Sequence, residues 1–145
     1  MKLLLLLLLF PLLSYSQNEP ILTGAFIGEY SLKPVGPTGY MGMAVQAGIW
    51  AGSEPNWPNI GVMAGYVEYK ANDTTPAQRS AVVTLALRMK LLKEKLQISP
   101  YFSFLSGWHR DIGVRVGWKI QQGTYAGITI SETMHLGIGV VMSIW

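Results

Sequence analysis

The sequence predicts an all-β protein: an eight-stranded antiparallel up-and-down transmembrane β-barrel that follows a cleaved signal peptide. Three observations carry this expectation. The chain opens on a leucine-rich run, Leu3 to Leu13, behind Lys2. From Ile21 onward it divides into short alternating segments separated by turn-forming residues. Its last eleven residues alternate Leu136, Ile138, Val140, Met142 and Ile144 with Gly137, Gly139, Val141 and Ser143, ending on Trp145.

The opening run is too short for a spanning helix, which needs about 20 apolar residues. Ser14-Tyr15-Ser16 places small residues where a signal peptidase reads them, so cleavage is expected before Gln17. The expected organisation is residues 1–16 as signal and residues 17–145 as one barrel domain. Without Lys2 the balance is ten basic against eight acidic residues, too even for a nucleic-acid surface. No cysteine is present, which excludes disulfides, thiolate metal sites and lipid attachment at a cysteine.

Each strand is read from period-two alternation and bounded by Gly, Pro, Asn or Asp. The first runs from Ile21 to Leu32 and breaks at Lys33-Pro34-Val35-Gly36-Pro37. The second, Tyr40 to Ala51, sets Met41, Met43, Val45, Ala47 and Ile49 against Gly42, Ala44, Gln46 and Gly48, and Ser53 to Asn59 ends it. The third, Ile60 to Ala71, alternates less cleanly, with Glu68 and Lys70 on the parity opposite Val67 and Tyr69. Asn72 to Ser80 is polar, contains Pro76 and reads as a loop.

The fourth and fifth strands, Ala81 to Leu92 and Leu96 to Gly107, meet at Lys93-Glu94-Lys95, a hairpin-sized connection. Leu85, Arg88, Met89, Leu92 and Leu96 would also form one face of a helix. Yet Val83, Leu85, Leu87, Met89 and Leu91 alternate with Thr84, Ala86, Arg88 and Lys90, and a helix here would leave seven strands with an open edge in lipid. The sixth, Asp111 to Gln122, has the clearest two faces: Ile112, Val114, Val116, Trp118 and Ile120 against Asp111, Arg115, Lys119 and glycines. Gln122-Gly123 turns into the seventh, Thr124 to Ser131, and Glu132-Thr133-Met134 leads into the eighth. With both termini in the periplasm, the turns after the fourth and sixth strands are short there, as such barrels prefer, whereas Ser53 to Asn59 is long.

On this pattern and on strand length, without a diagnostic motif, Ile21 to Trp145 resembles the small eight-stranded outer-membrane barrels of Gram-negative bacteria, the class with OmpA-type and OmpX-type domains. The resemblance implies contact with outer-membrane lipid and lipopolysaccharide, and with the barrel assembly machinery. The residues themselves show no Gly-x-Ser-x-Gly elbow, phosphate loop or zinc spacing, so no cofactor, metal or nucleic acid is expected. The chain departs from the class at its end, where Ile144, and not the terminal aromatic Trp145, carries the lipid-facing parity.

If the apolar parities face lipid, then Glu29, Glu68, Lys70, Arg88, Lys90, Asp111, Arg115 and Lys119 point inward as a lumen charge network. An eight-stranded barrel has an interior that side chains fill, so paired charges there read as a structural core. Tyr30, Tyr40, Trp50, Tyr69, Tyr101, Trp108 and Trp118 lie near segment ends and are expected to form an interfacial aromatic girdle.

Three functions fit the sequence. The first is a non-enzymatic envelope or surface-interaction barrel. The second is a rim-located hydrolase or acyltransferase acting on lipid A, whose candidate residues are Ser131, His135, Asp111 or Glu132, and His109. Outer-membrane lipid A deacylases have a histidine and a serine two residues apart, and His135-Leu136-Gly137 lacks that serine. The third is a soluble lipocalin-like barrel, which would turn its apolar parities inward around a ligand.

Overall fold

The computed structural model describes residues 21–32, 40–52, 58–70, 74, 76–106 and 109–144. They form β1 (Ile21–Ser31), β2 (Tyr40–Gly52), β3 (Asn59–Lys70), β4 (Gln78–Leu91), β5 (Leu96–Leu105), β6 (His109–Gln121), β7 (Thr124–Ser131) and β8 (His135–Ile144). Every strand pairs antiparallel with its sequence neighbours, and β1 pairs with β8 to close the barrel. The segment with two periodicities, Ala81 to Leu91, is strand throughout. The expected signal peptide and the Lys33 to Gly39 connection lie outside the described residues, as does Trp145.

Closure fixes the geometry. Stepping between partners from Lys119 on β6 passes Tyr125, Val141, Ile27, Gln46, Gly65, Val82 and Leu105, and returns to β6 at His109. The stagger on closing is therefore ten residues, 119 less 109. With roughly 3.3 Å per residue and about 4.8 Å between strands, it tilts the strands about 40° from the barrel axis. A ten-residue strand at that tilt rises about 25 Å, the height of a lipid-facing band.

Two strand starts differ from expectation by two residues or more. Residues Gln78, Arg79 and Ser80, read as loop, belong to β4 and pair with Tyr69, Glu68 and Val67. Their polar side chains lie at the strand end, where water meets the backbone and the hydrogen-bond ladder outweighs composition. Likewise β6 begins at His109, paired with Leu105, two residues before the expected start.

The apolar parities face outward. On β8, Leu136, Ile138 and Val140 are 42%, 47% and 37% exposed, and Val45, Val62, Leu85, Ile112 and Ile128 repeat the pattern around the wall. The interior is packed with two apolar clusters. Ala25, Ile27, Trp50, Met63, Ala86, Tyr101 and Val141 form one, and Ala44, Val67, Val82, Leu105 and Met134 form the other. Thr84 and Ser103 share a 2.6 Å hydrogen bond inside the wall.

Trp50 and Tyr101 correct the girdle expectation: both are interior, 1% and 5% exposed. Trp50 lies opposite Gly61, where a Cβ would come within 2.5 Å of the indole ring. Glycine thus makes the space that the indole fills, and the burial of so large a ring contributes about 1.5–3 kcal/mol or more.

Candidate functional site

The most organised polar constellation lies across the lumen. Gly117, Gly127 and Gly139 are successive partners on β6, β7 and β8, and Gly139 in turn pairs with Glu29 on β1. A Cβ on Gly139 would come within 2.9 Å of Glu29 Cγ. Gly139 therefore clears the volume into which Glu29 extends, and Gly127 lets β7 approach the β6 backbone closely.

Arg115, one step along β6, meets the Glu29 carboxylate with both arms of its fork. Its Nε donates to Oε1 at 2.7 Å and Nη2 donates to Oε2 at 2.9 Å. The Thr129 hydroxyl donates to the same carboxylate. The guanidinium carbon stands 3.8 Å from the ring centroid of Tyr101, whose hydroxyl donates to Asp111 Oδ2 at 3.0 Å. Asp111 Oδ1 accepts the Thr133 amide at 2.9 Å. Glu29, Asp111 and Arg115 are all buried. The bidentate fork, the ring face and the threonine donor are the partners that make a buried ion pair tolerable. A cavity of about 10 Å³ adjoins Glu29, Arg115 and Gln97, the size of a single water.

Toward the end of the barrel that carries the chain termini, Arg88 stands 5.0 Å from the Trp50 ring centroid and donates to Ser143 Oγ at 3.1 Å. At that mouth, Glu94 in the β4–β5 turn reaches Lys119 Nζ at 3.2 Å and Lys90 Nζ at 3.6 Å. The hydrogen bond from Lys119, helped by the charge of Lys90, holds the Glu94 carboxyl below the usual carboxylate range. The Tyr125 hydroxyl donates to the Glu94 carbonyl at 2.9 Å and ties the turn to β7.

Six of the eight proposed lumen charges have the inward parity: Glu29, Arg88, Lys90, Asp111, Arg115 and, at the mouth, Lys119. Glu68 does not. It follows Val67, which is 1% exposed, so Glu68 shares the outward parity of Tyr66 and Val62. The reason is that β3 has apolar residues on both faces, with Met63 and Val67 filling the lumen and the charge displaced to the strand end. The side chain of Lys70 lies outside the described residues. Of the expected girdle, Tyr30 and Trp118 are 60% and 57% exposed and stand at opposite ends of the barrel. The side chains of Tyr40, Tyr69, Trp108 and His109 lie outside the described residues. Tyr66 and Phe104, which the sequence reading left out of the girdle, are also outward and exposed.

The rim candidates cluster around the β7–β8 turn, where Ser131 and His135 are partners. Ser131 Oγ accepts the Met134 amide at 2.9 Å, and Ser31 Oγ donates to the Met134 carbonyl at 3.1 Å. These bonds fold Met134 inward, fully buried, against Gly137, whose Cβ would collide with Met134 Sδ. His135 has a φ of 58°, the left-handed residue that closes a three-residue hairpin loop. Ser131 and Asp111 thus hold backbone amides in place, and Met134, unmarked in the sequence reading, stoppers the lumen. Comparisons with protein-family models, curated proteins and solved structures find no match to this chain.

Proposed function

We propose that the chain is exported by the segment 1–16 and that its remainder is an outer-membrane barrel with a non-enzymatic envelope or surface-interaction role. One observation carries the reading: the wall is an outward apolar band, and charge is confined to the interior and the two ends. Outward positions from Tyr66, Phe104 and Ile112 at one end to Leu22, Leu91 and Trp118 at the other hold apolar side chains or glycine. So large a continuous apolar surface is unfavourable in water and favourable in lipid. A soluble ligand-binding barrel requires the opposite arrangement, with greasy parities around a cavity. Here the interior is occupied by Trp50, Met63, Tyr101 and the Glu29–Arg115 pair.

A lipid-modifying role at the rim is less favoured, because Ser131 accepts a backbone amide and Asp111 accepts both a backbone amide and Tyr101. The deciding experiment is gel mobility of the protein from isolated outer membranes in mild detergent, with and without boiling. A heat-dependent shift in that fraction is expected. Recovery in the soluble periplasm without a shift would overturn the reading and redirect the search to a ligand.

A further inference from the structure

We infer that the rim at the termini end is a binding surface for anionic phospholipid headgroups. The inference rests on the membrane reading above. Four lysines, Lys90, Lys93, Lys95 and Lys119, gather there around Glu94, the one carboxylate at that end among the described residues. Glu94 engages Lys90 and Lys119, while Lys93 and Lys95 are exposed and make no ion pair among the described residues. The opposite end is balanced, with Arg79 and Arg110 against Glu68 and Glu132 among its described accessible groups.

The lysines stand at the edge of an apolar wall. Leu91 pairs with Leu96, and Leu96 with Trp118, so these residues form one continuous strip across β4, β5 and β6. Leu92, Trp118 and Ile120 are 69%, 57% and 63% exposed, among the most exposed large apolar side chains. The Lys119 amide donates to the Lys95 carbonyl at 2.9 Å, which fixes the turn against β6. An acyl chain lying along Leu91, Leu96 and Trp118 brings its headgroup to the level of the Lys93 and Lys95 ammonium groups. Those groups donate to phosphate oxygens while their alkyl stems cover the adjoining leucines. Zwitterionic headgroups give back this attraction through their own cation, so the site discriminates by net charge.

The test uses the mature chain refolded in phosphatidylcholine vesicles, its folding verified by the heat-dependent gel shift, then extracted in mild detergent. Dissociation constants for phosphatidylglycerol and phosphatidylcholine are read by native mass spectrometry. Phosphatidylglycerol is expected to bind more tightly, and Lys93→Gln with Lys95→Gln to weaken it about twenty-five-fold, about five-fold per lysine. Arg79→Gln with Arg110→Gln at the other end should leave it unchanged. Equal binding of the two lipids, or equal losses in the two double variants, overturns the inference while leaving the membrane reading intact. Failure of the wild-type chain to enter vesicles at all overturns the membrane reading and the inference with it.

Discussion

Glu29 and Arg115 illustrate how much a single pair can carry inside a narrow barrel. Both are buried, so removing one partner leaves an unpaired charge beside a space no larger than a single water. Glu29→Ala is expected to lower unfolding stability in urea by about 3–5 kcal/mol. Replacing both, Glu29→Leu with Arg115→Met, should recover most of that loss, and a double variant that loses as much as Glu29→Leu and Arg115→Met added together would mean that the pair contributes no coupling. Glu94 sits at the other extreme, its side chain 43% exposed. Its carboxyl is held low, so its stabilisation is complete above the usual carboxylate range and fades as pH falls through the lowered value. After discounting for solvent screening, Glu94→Gln should cost only about 0.5 kcal/mol at neutral pH. The difference between the two proteins should close once pH has fallen through the lowered Glu94 value, and also in about 1 M salt; a constant difference would exclude the lysine contacts as its source. The sequence marked Glu29 and Arg115 as inward by parity. It could not mark them as partners, because 86 residues separate them and only the closing register brings β1 near β6. Tyr101 was legible, since it shares parity with Gln97, Ser99 and Ser103 and opposes Phe102 and Phe104. Position near a segment end was the weaker guide there, and for Trp50 as well.

Among the elements, legibility followed the contrast between faces. β2, β6 and β8 place mostly small or polar residues inward, Trp50 and Val141 excepted, against larger apolar residues outward, and their orientation could be read directly. β3 has Met63 and Val67 inward and Val62 and Tyr66 outward, so its two faces look alike and Glu68 was assigned to the wrong one. The start of β4 was missed for a different reason: Gln78, Arg79 and Ser80 are strand because β3 offers them partners, which no local composition reports. The β7–β8 hairpin gives an element-level prediction. His135 closes the loop at a φ of 58°, a conformation that costs a side-chain-bearing residue roughly 1–2 kcal/mol. His135→Gly should therefore raise the urea midpoint, with a gain of about 0.5–1 kcal/mol after the entropy of the unfolded glycine is counted. A loss of stability would mean that the imidazole makes a contact worth more than the backbone strain.

At the scale of the whole molecule, eight strands staggered by ten residues enclose a lumen that side chains fill at three levels. Met134 and its apolar neighbours close the far end, the Glu29–Arg115–Tyr101 group crosses the lumen, and Trp50 with Met63 closes toward the termini. The eight strands and both lateral faces were visible in period-two alternation, whereas this layering depends on which strands face each other across the axis. Layered closure implies that no single truncation opens a path. Met134→Ala should leave a cavity and cost about 2–5 kcal/mol of stability. The wild-type barrel reconstituted in a planar bilayer should nonetheless carry no current above the bare membrane, and Met134→Ala should carry none either, because the ion pair and Trp50 still block the axis. Steady conductance in the wild type would place a continuous water path beside Arg115, and conductance in the variant alone would make the methionine the sole barrier.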